Sequence, residues 1–109
     1  MNYYHIWADV KENTDPKIFA TNMKIFFDHL IRMNKLSAYK ITRMKLGFRS
    51  MDLPEFHIIM EFKTMQQLDD AMTAILEDEQ NIEDSHVSFN SMVDTNTIQH
   101  ALYRDYPDE

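Results

Sequence analysis

Two residue periods alternate along this chain, and their order leaves few ways to fold it. Over Tyr3–Val10 apolar residues recur at every second position: Tyr4, Ile6, Ala8 and Val10 share one face of a strand, and Tyr3, His5, Trp7 and Asp9 the other. After Asp15-Pro16 the period becomes helical. Asp at an N-cap accepts orphan backbone N–H groups, and proline in the first turn has no N–H to leave unpaired. The helix is expected to run to about Lys35 on a stripe of Phe19, Met23, Phe26, Phe27, Leu30 and Met33, with Ile18, Ile25 and Ile31 broadening its core face or, as the alternative, forming a partner surface.

Period two then returns twice in succession. Tyr39–Leu46 reads as a second strand, closed by Gly47, the chain's only glycine. Glu55–Phe62 reads as a third, with Phe56, Ile58, Met60 and Phe62 inward and His57, Ile59 and Glu61 outward. Thr64 and Gln67 have the spacing of a capping box, opening a second helix on Met65, Leu68, Ala71, Met72, Ile75 and Leu76. The acidic run Glu77–Glu79 is unfavourable at a helix C-terminus and is expected in a solvated turn. His86–Met92 is expected as the fourth strand. Beyond it, Ile98 and Leu102 stand at i, i+4, so residues 94–109 read as a C-terminal helical arm of the domain that residues 1–93 form. With right-handed crossovers, this order closes as an α+β, ferredoxin-like βαββαβ fold. Its four-stranded antiparallel sheet has the order 4-1-3-2, with both helices on one face.

A length of 109 residues suits one domain around one core. The 18 acidic and 11 basic residues give a net charge of -7, without the clustered positive field that a phosphate backbone or an anionic membrane demands. Neither nucleic acid nor membrane is therefore expected as a partner. No stretch approaches the roughly 18 apolar residues of a spanning helix, and the expected location is the cytoplasm. The absence of cysteine excludes thiolate metal sites and cysteine nucleophiles. No catalytic triad order, P-loop or dinucleotide fingerprint is present.

In such a fold the helices cover one side of the sheet only. The open side is expected to carry Tyr3, His5 and Trp7 from the first strand, Arg43 and Lys45 from the second, His57 and Glu61 from the third, and His86 from the fourth. Strands lie about 4.8 Å apart, so in matching register these side chains would converge on a polar–aromatic cavity. Tyr39, Ile41 and Ile59 would add apolar surface that is costly on a monomer, and a homodimer whose sheets face each other would cover it. The expected ligand is a small organic molecule, anionic and aromatic. Arg43 suits a carboxylate or enolate, Trp7 and Tyr3 a flat wall, His5 or His57 a general base, and Glu61 an orienting group. His5, His57 and His86 also form a candidate metal set, without a local ligand spacing to support it. Plainer readings stand beside these: histidines as hydrogen-bonded interface residues, an Arg43–Glu61 cross-strand ion pair, and a structural or regulatory dimer with no ligand. The aromatic tail Tyr103–Pro107 is expected to dock near the dimer seam.

The strings Tyr4-His5-Ile6-Trp7, Tyr39 to Gly47 (YKITRMKLG), Glu55-Phe56-His57 and Ala101 to Asp108 (ALYRDYPD) span nearly the whole chain. In them the sequence resembles a family of small uncharacterised bacterial proteins. The resemblance implies a ferredoxin-like, dimeric α+β-barrel architecture and carries no activity. The wider dimeric α+β-barrel group includes cofactor-free monooxygenases, isomerases, haem-degrading enzymes and small-ligand sensors, so the fold alone does not choose between binding and catalysis.

Overall fold

The computed structural model describes residues 1–81 and 91–107. The element order is β1 (Asn2–Val10), α1 (Pro16–Arg32), β2 (Ala38–Arg43), β3 (Phe56–Phe62), α2 (Met65–Asn81) and β4 (Val93–Arg104). The strands form one antiparallel sheet in the order β2-β3-β1-β4, the ferredoxin-like arrangement read from the sequence. Both helices pack on one face. There Phe19, Met23, Phe26, Phe27 and Leu30 of α1 and Ala71 and Ala74 of α2 meet Ala8, Phe56, Ile58, Met60 and Phe62 of the sheet. None of the described helices is long and apolar enough to cross a membrane.

The helix starts follow the expected chemistry. Asp15 accepts the Lys17 N–H at 2.9 Å with Pro16 opening α1. The Thr64 hydroxyl accepts the Gln67 N–H at 3.0 Å, while Gln67 Oε1 reaches back to the Lys63 N–H at 2.7 Å. The stripe of α1 is narrower than expected: Ile18 and Ile25 are 50% and 53% exposed, Ile31 and Met33 are exposed as well, and none of the four broadens the core. The acidic run 77–79 continues α2 instead of forming a turn, in keeping with the good helix propensity of Glu and Gln.

The C-terminal half of the chain departs most from expectation. The strand expected over His86–Met92 falls largely outside the described residues, and Ser91 and Met92 form a turn that leads into β4. The expected helical arm is itself the fourth strand, pairing with β1 from Asn2↔Arg104 to Val10↔Val93. Ile98 and Leu102, four apart, fit a strand as well as a helix, because four is a multiple of the strand period. One irregularity interrupts the ladder. Trp7 pairs with Gln99 and Asp9 with Asp94, so Thr95, Asn96, Thr97 and Ile98 stand opposite Ala8 alone. The Thr97 hydroxyl bridges the gap, accepting the Asp9 N–H at 2.9 Å and donating to the Asp94 carbonyl at 2.6 Å.

Candidate ligand site on the open sheet face

The two central strands, β1 and β3, set the site. Their register pairs Trp7 with His57, His5 with Ile59 and Tyr3 with Glu61. Directly opposed residues share a face, so all six stand on the side that the helices leave open. Three rings gather there. Trp7 and His57 stack with centroids 4.6 Å apart and planes 7° from parallel. His5 lies 5.1 Å from His57 and 5.7 Å from Trp7. Tyr103 of β4 meets His5 edge-on at 4.9 Å.

His5 Nδ1 and His57 Nε2 are 2.9 Å apart and share a hydrogen bond. Such a bond needs one protonated and one unprotonated nitrogen, so both rings cannot be fully protonated while it stands. His57 is correspondingly biased towards its neutral form. Burial first, and then the neighbouring His5 charge, lower its pKa below the usual 6.5. At the end of the sheet nearer the chain termini, the Tyr3 hydroxyl donates to Asp105 Oδ1 at 2.7 Å, and the terminal ammonium lies 3.4 Å from Asp105 Oδ2. The Asp105 hydrogen bond, with desolvation and the charges of Asp105 and Glu61, raises the Tyr3 pKa.

The second strand contributes differently than expected. Tyr39, Ile41 and Arg43 pair with Met60, Ile58 and Phe56, and therefore face the helices. Tyr39 packs on Phe27 and donates to Asp28 at 2.7 Å, and burial together with that carboxylate pushes its pKa up to about 12. Arg43 binds Glu55 at 2.7 Å, not Glu61, with its guanidinium carbon 5.5 Å from the Phe56 ring centroid. β2 offers Lys40 and Thr42 to the open face instead. The strand stops at Arg43, and Lys45 lies exposed beyond it, just before the turn at Leu46 and Gly47, both at positive φ. His86 lies outside the described residues. Of the expected site, Tyr3, His5, Trp7, His57 and Glu61 share the open face; Arg43, turned to the helix side, meets Trp7 and His57 only as a lining residue of a cleft at the strand end, and Lys45 does not join them. Among the described residues no three histidine, aspartate or glutamate side chains converge as a metal-binding set.

Two contributors lie outside the expected site residues, Tyr103 being expected only as part of a docking tail. Tyr103 alternates with Ala101 and Gln99 on the open face of β4, a period-two signal that the i, i+4 spacing of Ile98 and Leu102 obscured. Arg49 lies in the loop between β2 and β3, where no periodicity points to it. That loop forms one side of a cleft of about 360 Å³ whose other side includes Trp7 and His57. Within the loop, Arg49 Nη1 donates to the Leu53 carbonyl at 2.5 Å and the Leu53 N–H to the Met51 carbonyl at 2.9 Å, and the Glu55 N–H anchors its end to Asp9 Oδ1 of β1 at 2.7 Å.

A helix-backed antiparallel sheet with aromatic and imidazole side chains on its bare face defines a ferredoxin-like α+β protein. The chain belongs to the family of unknown function DUF6614, which it matches over residues 1–109. No curated protein matches it in sequence. Among solved structures it resembles a dimeric ferredoxin-like protein of unknown function from Jannaschia sp. CCS1, with a TM-score of 0.65 and 9% identity over 95% of this chain and 98% of that one. The Arabidopsis thaliana protein At3g17210 is similar at a TM-score of 0.65 and 12% identity, covering 96% and 95% of the two chains. A dimeric ferredoxin-like protein of unknown function from Thermobifida fusca matches at 0.56 and 10% identity over 94% and 90%. At such identities these likenesses establish the fold alone.

Proposed function

We propose that this protein is a homodimer that binds a small organic molecule between its two open sheet faces. The observation that carries the reading is the array of His5, Trp7 and His57, three rings in mutual contact with Tyr103 edge-on to His5, on a face with no helix over it. Aromatic and imidazole groups so exposed favour a partner that removes them from water. A second copy brings an identical face, which a two-fold axis makes self-complementary. The dimeric state described for the Jannaschia and Thermobifida proteins agrees with this. The His5–His57 hydrogen bond also holds a proton between two ring nitrogens on this face, a group suited to proton transfer with a bound molecule.

Native mass spectrometry of gently purified protein tests both parts. The expected species has twice the 13.1 kDa chain mass, with additional mass where a ligand has been carried through purification. Ile59→Lys places a charge at the middle of the open face, beside His5 and Lys40, and is expected to yield a folded monomer. A wild-type monomer at micromolar concentration overturns the enclosed site, and an unimpaired Ile59→Lys dimer moves the interface elsewhere.

A further inference from the structure

We infer, on the reading of the open face as a small-molecule site, that the cleft beside Trp7 and His57 takes a flat organic anion, an aromatic carboxylate, with Arg49 as its counter-charge. The cleft's shape and its charge balance point the same way. Trp7 and His57, stacked 7° from parallel, form part of its wall. Met44, Phe48 and Met51 bring thioether and phenyl surface from the strand end and the loop. Phe48 is 82% exposed and Met51 63%, as apolar side chains awaiting a contact would be. A volume of about 360 Å³ lies at the small end of organic-ligand pockets, the size for one or two rings.

The charges decide the ligand's sign. Arg43 and Glu55 also line the cleft, but they neutralise each other through their 2.7 Å ion pair. Arg49 is held by a neutral backbone carbonyl and makes no ion pair among the described residues. A guanidinium has five N–H donors in a fork that matches a carboxylate, so one bond to Leu53 leaves donors for a ligand. The same bond positions the side chain: it folds the loop on itself, and the Glu55–Asp9 contact joins the loop's end to β1 before any ligand arrives. His57 is biased towards its neutral form, so the stacked wall does not compete with Arg49 for the anion at neutral pH.

Trp7 is the only tryptophan, so its fluorescence reports on the cleft without a label. Benzoate, its neutral analogue benzamide and the non-planar cyclohexanecarboxylate separate charge from flatness. Benzoate is expected to change the Trp7 emission saturably, with the other two at least about tenfold weaker, as suits a charge-assisted contact and a ring contact respectively. Arg49→Gln is expected to bring benzoate down to the benzamide level, and Arg49→Lys, which keeps the charge and loses the fork, to fall between. Benzamide binding as tightly as benzoate, or Arg49→Gln keeping the preference for benzoate, overturns the anion site. So does a Trp7 signal that no probe moves. A dimer that takes benzoate and benzamide equally keeps the small-molecule reading and loses only the counter-charge, whereas a monomer removes the enclosing face itself.

Discussion

Removing the carboxylate of Asp9 should loosen the cleft from behind. Its Oδ1 accepts the half-buried Glu55 N–H at 2.7 Å and so ties the end of the β2–β3 loop to the end of β1. A hydrogen bond to a charged group contributes about 1.5–3 kcal/mol, and a buried donor left without an acceptor costs about 1–3 kcal/mol. Partial burial lets water replace some of the loss, which places Asp9→Ala near the lower end. Asp94 stands directly opposite Asp9 in the register, and relief of that like-charge pair returns a few tenths of a kcal/mol. The net expectation is a loss of about 1 kcal/mol, or about 4–8 °C in Tm for a domain near this size. Asp9→Asn relieves the same repulsion but keeps an oxygen at the Oδ1 position, and should stay within about 0.5 kcal/mol of the parent. The Thr97 contact is made by the Asp9 backbone N–H and survives in both variants. Urea unfolding followed by far-UV circular dichroism, at one fixed protein concentration, measures the difference. Equal midpoints for Asp9→Ala and Asp9→Asn would refute the assignment of the loop anchor to this hydrogen bond.

Other consequences follow from the histidine pair and the core. The folded pKa of His57 lies below its unfolded value, so the unfolded chain binds the extra proton first. Stability from this group is full above about pH 6.5, falls as the pH drops below that value, and levels off once the pH is under the depressed folded pKa. Imidazole proton NMR should show His57 titrating below 6.5, and a midpoint at or above that value contradicts the burial argument. Leu30 is wholly buried, and Leu30→Ala should cost about 2–5 kcal/mol in urea unfolding. Ile25→Ala, on the exposed face of the same helix, should change stability by no more than about 0.5 kcal/mol; a core-sized loss would mean that something covers that face.

How far the sequence could be read depends on where each strand lies in the sheet. β1 and β3 are central, paired on both edges. The inner face of β3 is buried at Phe56, Ile58, Met60 and Phe62, while His57, Ile59 and Glu61 stay only half-buried. That contrast imposes a strict alternation on β3 and places His57 and Glu61, whereas on β1 it is the residue types, Tyr4, Ile6 and Ala8 packed on the core against Tyr3, His5 and Trp7, that show the alternation. The edge strands carry weaker signals. β2 offers the core only the half-buried Tyr39 and Ile41, and the apolar residues that extend its pattern, Met44 and Leu46, lie past its end. Counting them as strand turned Arg43 to the wrong face. In β4, Leu102 is nearly as exposed on the helix side as Tyr103 is on the open side, so neither period dominates. A one-residue slip moves every side chain of a strand to the opposite face, and only a large burial difference between the faces forbids it. Open-face residues on central strands are for that reason more legible than those on edges and loops. Arg49 belongs to the second group: its place at the cleft follows from the backbone torsions of the turn at Leu46 and Gly47, from a loop-internal bond to Leu53 and from the long-range Glu55–Asp9 contact, none of which a residue period marks.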